Sequence, residues 1–327
     1  PAVAPIWDAE SRVMYLVASE GTTRDLYKLD AGSGKLDNIT KLAGSLDSMN
    51  MAGGALAYVE SALDKPGTLY AGKPGSVKAI QSVNDAVAEY NLPEARKLRL
   101  PGHEGGFVEG FLFLPPGATE NDKLPAIIEM HGGPYSRYGN AWTSRYPWQV
   151  LAKNGFAVFI VNPRGGTGYG AEFLQGVYRN FGTDDFQDIM AAVDALVERG
   201  TIDPDRLGFT GYSYGGLMTN VVVSRTDRFR AAVSIAGFRV AYSESVSNSL
   251  SEVPRRMEVP GLNRFSIPTD TDRLSVVGCS EPSSSLDAWA AWFSPVSARA
   301  SRFTSNAASA TSTPSTAADG PYRWTRS

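Results

Sequence analysis

The hexapeptide Gly211-Tyr212-Ser213-Tyr214-Gly215-Gly216 limits the available folds more than any other stretch of this sequence. It follows Arg206–Thr210 (RLGFT), which reads as a strand, and precedes Leu217–Ser224 (LMTNVVVS), which reads as a helix. A passage from strand to helix in so few residues holds the serine on a very tight turn, with its hydroxyl projecting from the sheet. Glycines two before and two after remove side chains that would collide there. The helix start behind the serine supplies N–H groups without internal partners and a partial positive charge. Ser213 is therefore a candidate nucleophile, and the backbone N–H of Tyr214 a candidate donor to an oxyanion. Such a turn belongs in a layered α/β fold.

The surrounding sequence has that grammar. From about residue 124, strands and helices alternate. Pro125–Met130 (PAIIEM), Phe156–Val161 (FAVFIV), Arg206–Thr210 and Arg230–Ile235 read as strands. Trp148–Asn154, Ala171–Tyr178, Asp185–Arg199 and Leu217–Ser224 read as helices. The unbroken apolar run Phe156–Val161 suits a strand covered on both faces, as in a mostly parallel sheet. Just upstream, Lys97–Leu100 and Phe107–Leu114 read as an antiparallel pair around the turn Pro101–Gly106.

Residues 1–90 read differently. Arg12–Ser19, Asp25–Asp30, Ala55–Glu60 and Thr68–Ala71 are short strands, with a hairpin turn at Ala31–Lys35. No helix-length pattern interrupts them, which predicts an all-β unit ending near Asn91-Leu92-Pro93.

Other motifs are weighed against plainer roles. His131-Gly132-Gly133-Pro134 follows a strand, and its paired glycines let the backbone approach a substrate. Gly133 is the expected second oxyanion donor, with Gly132 next in order; His131 is read as a structural hydrogen-bonding residue. Asn162–Gly170 (NPRGGTGYG) imitates a dinucleotide loop, but its glycines are spaced G-x-G-x-G, so a structural turn is expected. The acids Asp184, Asp185 and Asp188 are read as helix-start caps and dipole partners, Asp203-Pro204-Asp205 as a turn, and His103 as solvated.

Composition narrows the function. The 327 residues carry a net charge of −3, which provides no strong positive field for nucleic acid or an acidic membrane. No run approaches ~18 apolar residues, so no membrane-crossing helix is expected. Cys279 is the single cysteine and is read as inert; no disulfide, no metal site and no cofactor are expected, and a cytoplasmic location is favoured on that ground. Oligomeric state is left open.

Taken together, HGGP at 131–134, NPRGGTGYG at 162–170, FGTDDFQDIM at 181–190, IDPDRLGFTGYSYGG at 202–216 and TDRFRAAVSIAG at 226–237 resemble the prolyl oligopeptidase family of serine peptidases, in its acylaminoacyl-peptidase and dipeptidyl-peptidase-like branch. The resemblance implies an α/β-hydrolase domain at 91–238, preceded at 1–90 by the last blades of a β-propeller, and an N-terminal truncation. It implies hydrolysis of short peptides through an acyl-enzyme on Ser213. An esterase on the same scaffold is the alternative enzyme.

The resemblance also implies an aspartate and a histidine after the serine, yet both histidines, His103 and His131, precede it. The triad Asp and His are thus unassigned. Near residue 238 the family motifs stop and serine rises from 13 of 238 residues to 19 of 89. A changed reading frame there would account for both facts. Residues 239–327 are expected to be a poorly ordered Ser-rich tail, with the sheet ending at Arg230–Ile235. Serine is a weak nucleophile without a base. Loss of a triad member costs on the order of 10⁴–10⁶ in rate, so an impaired enzyme or a catalytically dead chain is expected.

Overall fold

The computed structural model describes residues 4–8, 12–237, 264–265 and 275–279, all within the unit Pro1–Ala288. The rest of 239–327, on which the expectation of a poorly ordered Ser-rich tail falls, lies outside the described residues.

The first sheet is all-β, as expected. Its strands are β1 (Ile6–Trp7), β2 (Val13–Glu20), β3 (Thr23–Asp30), β4 (Leu36–Asn38), β5 (Ser45–Ala52), β6 (Ala55–Ala62), β7 (Lys65–Lys73) and β8 (Ser76–Ser82). The order is β1-β2-β3-β5-β6-β7-β8, with β4 on β3. β5 through β8 form an antiparallel meander, joined to β3 by one parallel pair, Arg24 with Ser45. Tyr15, Leu26, Leu46, Leu56 and Tyr58 make its core.

Four of these strands, β1, β4, β5 and β8, were not legible, and the two longer ones show why. In β5 a register shift between Leu46 and Ser48 moves the inward positions from even to odd numbers, so Leu46 is followed inward by Met49 and Met51. A bulge of this kind hides a period of two. β8 has no buried residue and so no burial pattern to read.

The second sheet is built from β9 (Ala95–Pro101), β10 (Phe107–Phe113), β11 (Leu124–Met130), β12 (Ala157–Asn162), β13 (Ile202–Tyr212), β14 (Phe229–Ile235), β15 (Arg264–Phe265) and β16 (Ser275–Cys279). The order is β15-β16-β14-β13-β11-β12-β10-β9. The central pairs from β12 to β16 are parallel, whereas β9, β10 and β15 run antiparallel to their neighbours. The helices are α1 (Trp148–Lys153), α2 (Ala171–Gln175), α3 (Asp184–Glu198) and α4 (Tyr214–Arg225). The expected α/β-hydrolase architecture is what these strands and helices form.

Every residue of β12 is buried, as its apolar run demands. Its alternate residues serve both layers. Ala157, Phe159 and Val161 pack with β9, β10, β11, α3 and α4 in the main core. On the α1 side, Trp148 stacks on Phe113 at 5.8 Å between ring centres.

One expectation is corrected. The sheet does not end at β14: β16 pairs with it in parallel from Ala231–Ser275 to Ile235–Cys279, and β15 follows. The apolar edge of β14 takes the β-branched segment SVVGC as a partner, which is how an exposed edge is relieved.

Candidate active site

Strand β13 delivers Ser213 to the carboxyl end of the parallel sheet, where α/β folds gather their chemistry. The serine has φ 57° and ψ −111°, a conformation that L-residues rarely adopt. Its N–H donates to Ile235 O at 2.9 Å and its carbonyl accepts from Leu217 N–H at 2.9 Å. The turn is therefore clamped from β14 on one side and from α4 on the other. A Cβ at Gly215 would lie 2.0 Å from Met130 O, and one at Gly211 would lie 2.5 Å from the backbone of Gly215. No side chain fits at either place, so the two glycines let helix, turn and strand meet.

Tyr214 is the first residue of α4, so its N–H has no intrahelical acceptor. Its side chain is buried and donates its hydroxyl to Asp185 on α3. Burial raises the Asp185 pKa to about 6, and burial followed by the Asp185 charge raises that of the Tyr214 hydroxyl. Gly132 lies against the serine: a Cβ there would be 3.5 Å from Ser213 Cβ and 3.1 Å from Tyr212 O. Gly133 turns the chain at φ 133° immediately beyond. The structure thus brings Gly132, Tyr212, Ser213 and Tyr214 together.

His131 is structural, as expected. It is buried, and its Nδ1–H donates to Gly132 O at 2.7 Å. Burial lowers its pKa to about 4, so the ring is neutral. Its edge meets the Tyr138 ring at 5.6 Å. Beneath it, buried Glu129 accepts from Trp148 Nε1 at 2.8 Å and Tyr138 Oη at 3.0 Å, while burial raises its pKa to about 7.

The acidic run is corrected in part. Asp184 and Asp185 do occupy the first turn of α3, but no side chain caps that helix. Asp185 instead holds Tyr214. Asp188 is buried and accepts from Arg164 Nε at 2.8 Å, Arg164 N at 3.0 Å and His103 N at 2.8 Å. Helical spacing turns both acids into the core, which a cap reading ignores. His103 has a half-exposed side chain, and its backbone is tied to the Asp188 cluster. Asp203 accepts from Asp205 N–H at 2.9 Å as a turn residue would, yet β13 runs through it.

The Asn162–Gly170 loop is a structural turn. Gly168 O accepts from Gly21 N–H at 2.7 Å in the first sheet, and Thr167 N–H donates to Ser136 O at 3.0 Å. Sequence reading missed one further neighbour: the Arg145 guanidinium lies 4.1 Å from the centre of the Tyr212 ring. Among the described residues no cluster of His, Cys, Asp and Glu is arranged to hold a metal ion.

The chain's similarities agree with this geometry. Residues 142–258 match the prolyl oligopeptidase family. An uncharacterized peptidase of Bacillus subtilis is 33% identical over 252 residues, 76% of this chain and 37% of that protein. Dipeptidyl-peptidase 5 of Porphyromonas gingivalis is 26% identical, over 71% of this chain and 34% of that protein. The crystal structure of the Pyrococcus horikoshii acylaminoacyl peptidase overlays with a TM-score of 0.62 at 29% identity, over 69% of this chain and 36% of that one. The chain spans about a third of the length of the curated relatives it matches. With the strained serine set between β13 and α4, these matches place the chain in the prolyl oligopeptidase family of serine peptidases.

Proposed function

We propose that the chain is the peptidase region of an enzyme that cleaves short peptides by forming an acyl-enzyme on Ser213. The observation that carries this reading is the strained Ser213 turn with Gly132 packed against it. In the proposed reaction Ser213 Oγ attacks the scissile carbonyl. The Tyr214 N–H and that of Gly133, or of Gly132, hold the resulting oxyanion. The C–N bond breaks and the amine leaves with the proton given up by the serine hydroxyl; water then hydrolyses the ester, releasing the acid and returning a proton to Ser213 Oγ. Peptides suit this site because the relatives named above are peptidases by name. We read the first sheet as propeller blades that narrow access to Ser213; the β5–β8 meander has the form of one blade. Nothing in the charge balance favours nucleic acid or an acidic membrane surface as a partner.

A second reading concerns rate. Burial lowers the His131 pKa to about 4, which makes its ring a weak base, and no histidine follows Ser213 within this sequence. The serine then lacks a histidine base, and turnover falls by on the order of 10⁴–10⁶ relative to an intact triad.

Fluorophosphonate labelling and peptide turnover, each with Ser213→Ala as control, test both readings. The expected result is slow, Ser213-dependent labelling with feeble turnover. Brisk turnover abolished by Ser213→Ala overturns the impairment alone. Turnover indifferent to Ser213→Ala overturns the peptidase reading.

A further inference from the structure

We propose that Arg145 receives a carboxylate of the bound peptide, and so biases the Ser213 site toward short peptides with an acidic group within a few residues of the scissile bond. The proposal rests on the peptide reading given above and adds the charge chemistry of the substrate.

Arg145 is exposed, and its guanidinium lies 4.1 Å from the centre of the Tyr212 ring. Tyr212 immediately precedes the nucleophile. The same tyrosine abuts the oxyanion loop, since a Cβ at Gly132 would lie 3.8 Å from Tyr212 Cδ1. Guanidinium, ring, Gly132 and Ser213 therefore belong to one continuous surface.

The arginine is held in place without an acid. Its backbone N–H donates to Thr143 Oγ1 at 3.1 Å. Its neighbour Tyr146 stacks on buried Trp148 at 4.9 Å, with ring planes 10° apart. The acid of that aromatic cluster, Glu129, is already occupied by Trp148 and Tyr138.

Among the described residues no carboxylate pairs with Arg145. Arg96, Arg99, Arg164, Arg206, Arg228 and Arg230 do pair with acids. A guanidinium laid over a ring keeps the donors on its edge for a ligand, and their fork matches a carboxylate. Each residue of an extended peptide spans about 3.3–3.6 Å, so a cation beside Tyr212 meets charge only from nearby positions. A free C-terminus or an acidic side chain supplies the same chemistry.

Calorimetric titration in the Ser213→Ala background, which removes turnover, tests the proposal with three probes. They are Ala-Ala-Phe-Ala as the free acid, the same peptide as its C-terminal amide, and Ala-Ala-Phe-Glu amide. The free acid is expected to bind about fivefold more tightly than the neutral amide, a difference of about 1 kcal/mol. Arg145→Ala is expected to abolish that preference while leaving the neutral amide within about twofold of its parent affinity. Arg145→Lys is expected to keep only part of it, because lysine lacks the planar fork. Glu-amide binding as tight as the free acid extends the ligand to acidic side chains. Equal binding of acid and neutral amide, or a preference that survives Arg145→Ala, overturns the proposal and leaves the peptide reading standing. Failure of all three peptides to bind overturns both.

Discussion

Tyr214 donates its hydroxyl to the carboxylate of Asp185, so the residue after the nucleophile is fixed from a second helix, α3, as well as from its own. Both residues are buried, and Asp185 also accepts from Phe186 N–H at 3.0 Å. Tyr214→Phe keeps the ring and its contact with Phe181 but leaves a buried carboxylate oxygen without that donor. The expected cost is about 1–3 kcal/mol in urea unfolding. A loss below about 0.5 kcal/mol, the range of surface substitutions, shows that the bond adds nothing to stability.

Glu129 and Asp185 predict how stability depends on pH. Burial raises Glu129 from 4.5 to about 7 and Asp185 from 3.8 to about 6. In both cases the folded protein binds the proton more tightly than the unfolded chain. Their contribution is fully present below the unfolded values and is lost as pH rises through the folded ones. His131 works in the opposite sense. Its folded value is lowered to about 4, so its contribution is present above 6.5 and lost as pH falls toward 4. Glu129→Gln is expected to remove a decline of on the order of 2–3 kcal/mol between pH 4.5 and about 7. Unfolding midpoints measured across that range check it; an unchanged slope in the variant refutes it.

Gly215 predicts a steric limit. A Cβ there would meet Met130 O at 2.0 Å, and backbone cannot swing aside as a side chain can. Gly215→Ala is expected to cost at least about 3 kcal/mol. Gly32→Ala is the matched control, because its Cβ would meet only Asp30 Oδ1 at an ordinary 3.6 Å. That variant is expected to stay within about 0.5 kcal/mol of the parent. Similar losses in both variants, read as thermal unfolding midpoints, refute the steric account.

The turn at Ser213 was legible because its cause is local: the glycines and the change from strand to helix all lie within a few residues. Strands β10, β11 and β12 were legible because they are densely apolar. What sequence did not reveal depends on partners distant in the chain. Asp185 meets Tyr214 across 29 positions, Arg164 meets Asp188 across 24, and Arg145 meets the ring of Tyr212. An acid at a helix start looks like a cap until the helix is rotated against the sheet, and only the packed core sets that rotation. Strand β16 was missed for a related reason. Its five residues pair with β14 across forty-odd positions of unfamiliar composition, and no local pattern announces a parallel partner.

Asp188 carries the last prediction. It is buried and binds Arg164 through Nε at 2.8 Å and Nη2 at 3.0 Å, along with the backbone N–H groups of Arg164 and His103. Arg164 Nη2 also donates to His103 O at 2.9 Å. One carboxylate therefore ties α3, the β9–β10 turn and the loop after β12 together. Removing it leaves a mostly buried guanidinium with only the longer 3.7 Å ion pair to Asp184 and deprives two backbone donors at once, and breaking a buried ion pair is costly. Asp188→Ala is expected to cost about 3–5 kcal/mol, and Asp188→Asn less, since an amide oxygen still accepts. Hydrogen exchange is the sharper measurement. Amides of 102–106 and 164–170 are expected to lose protection in Asp188→Ala while those of β5–β8 keep theirs. Uniform loss across both sheets refutes the local tie and leaves only global destabilisation.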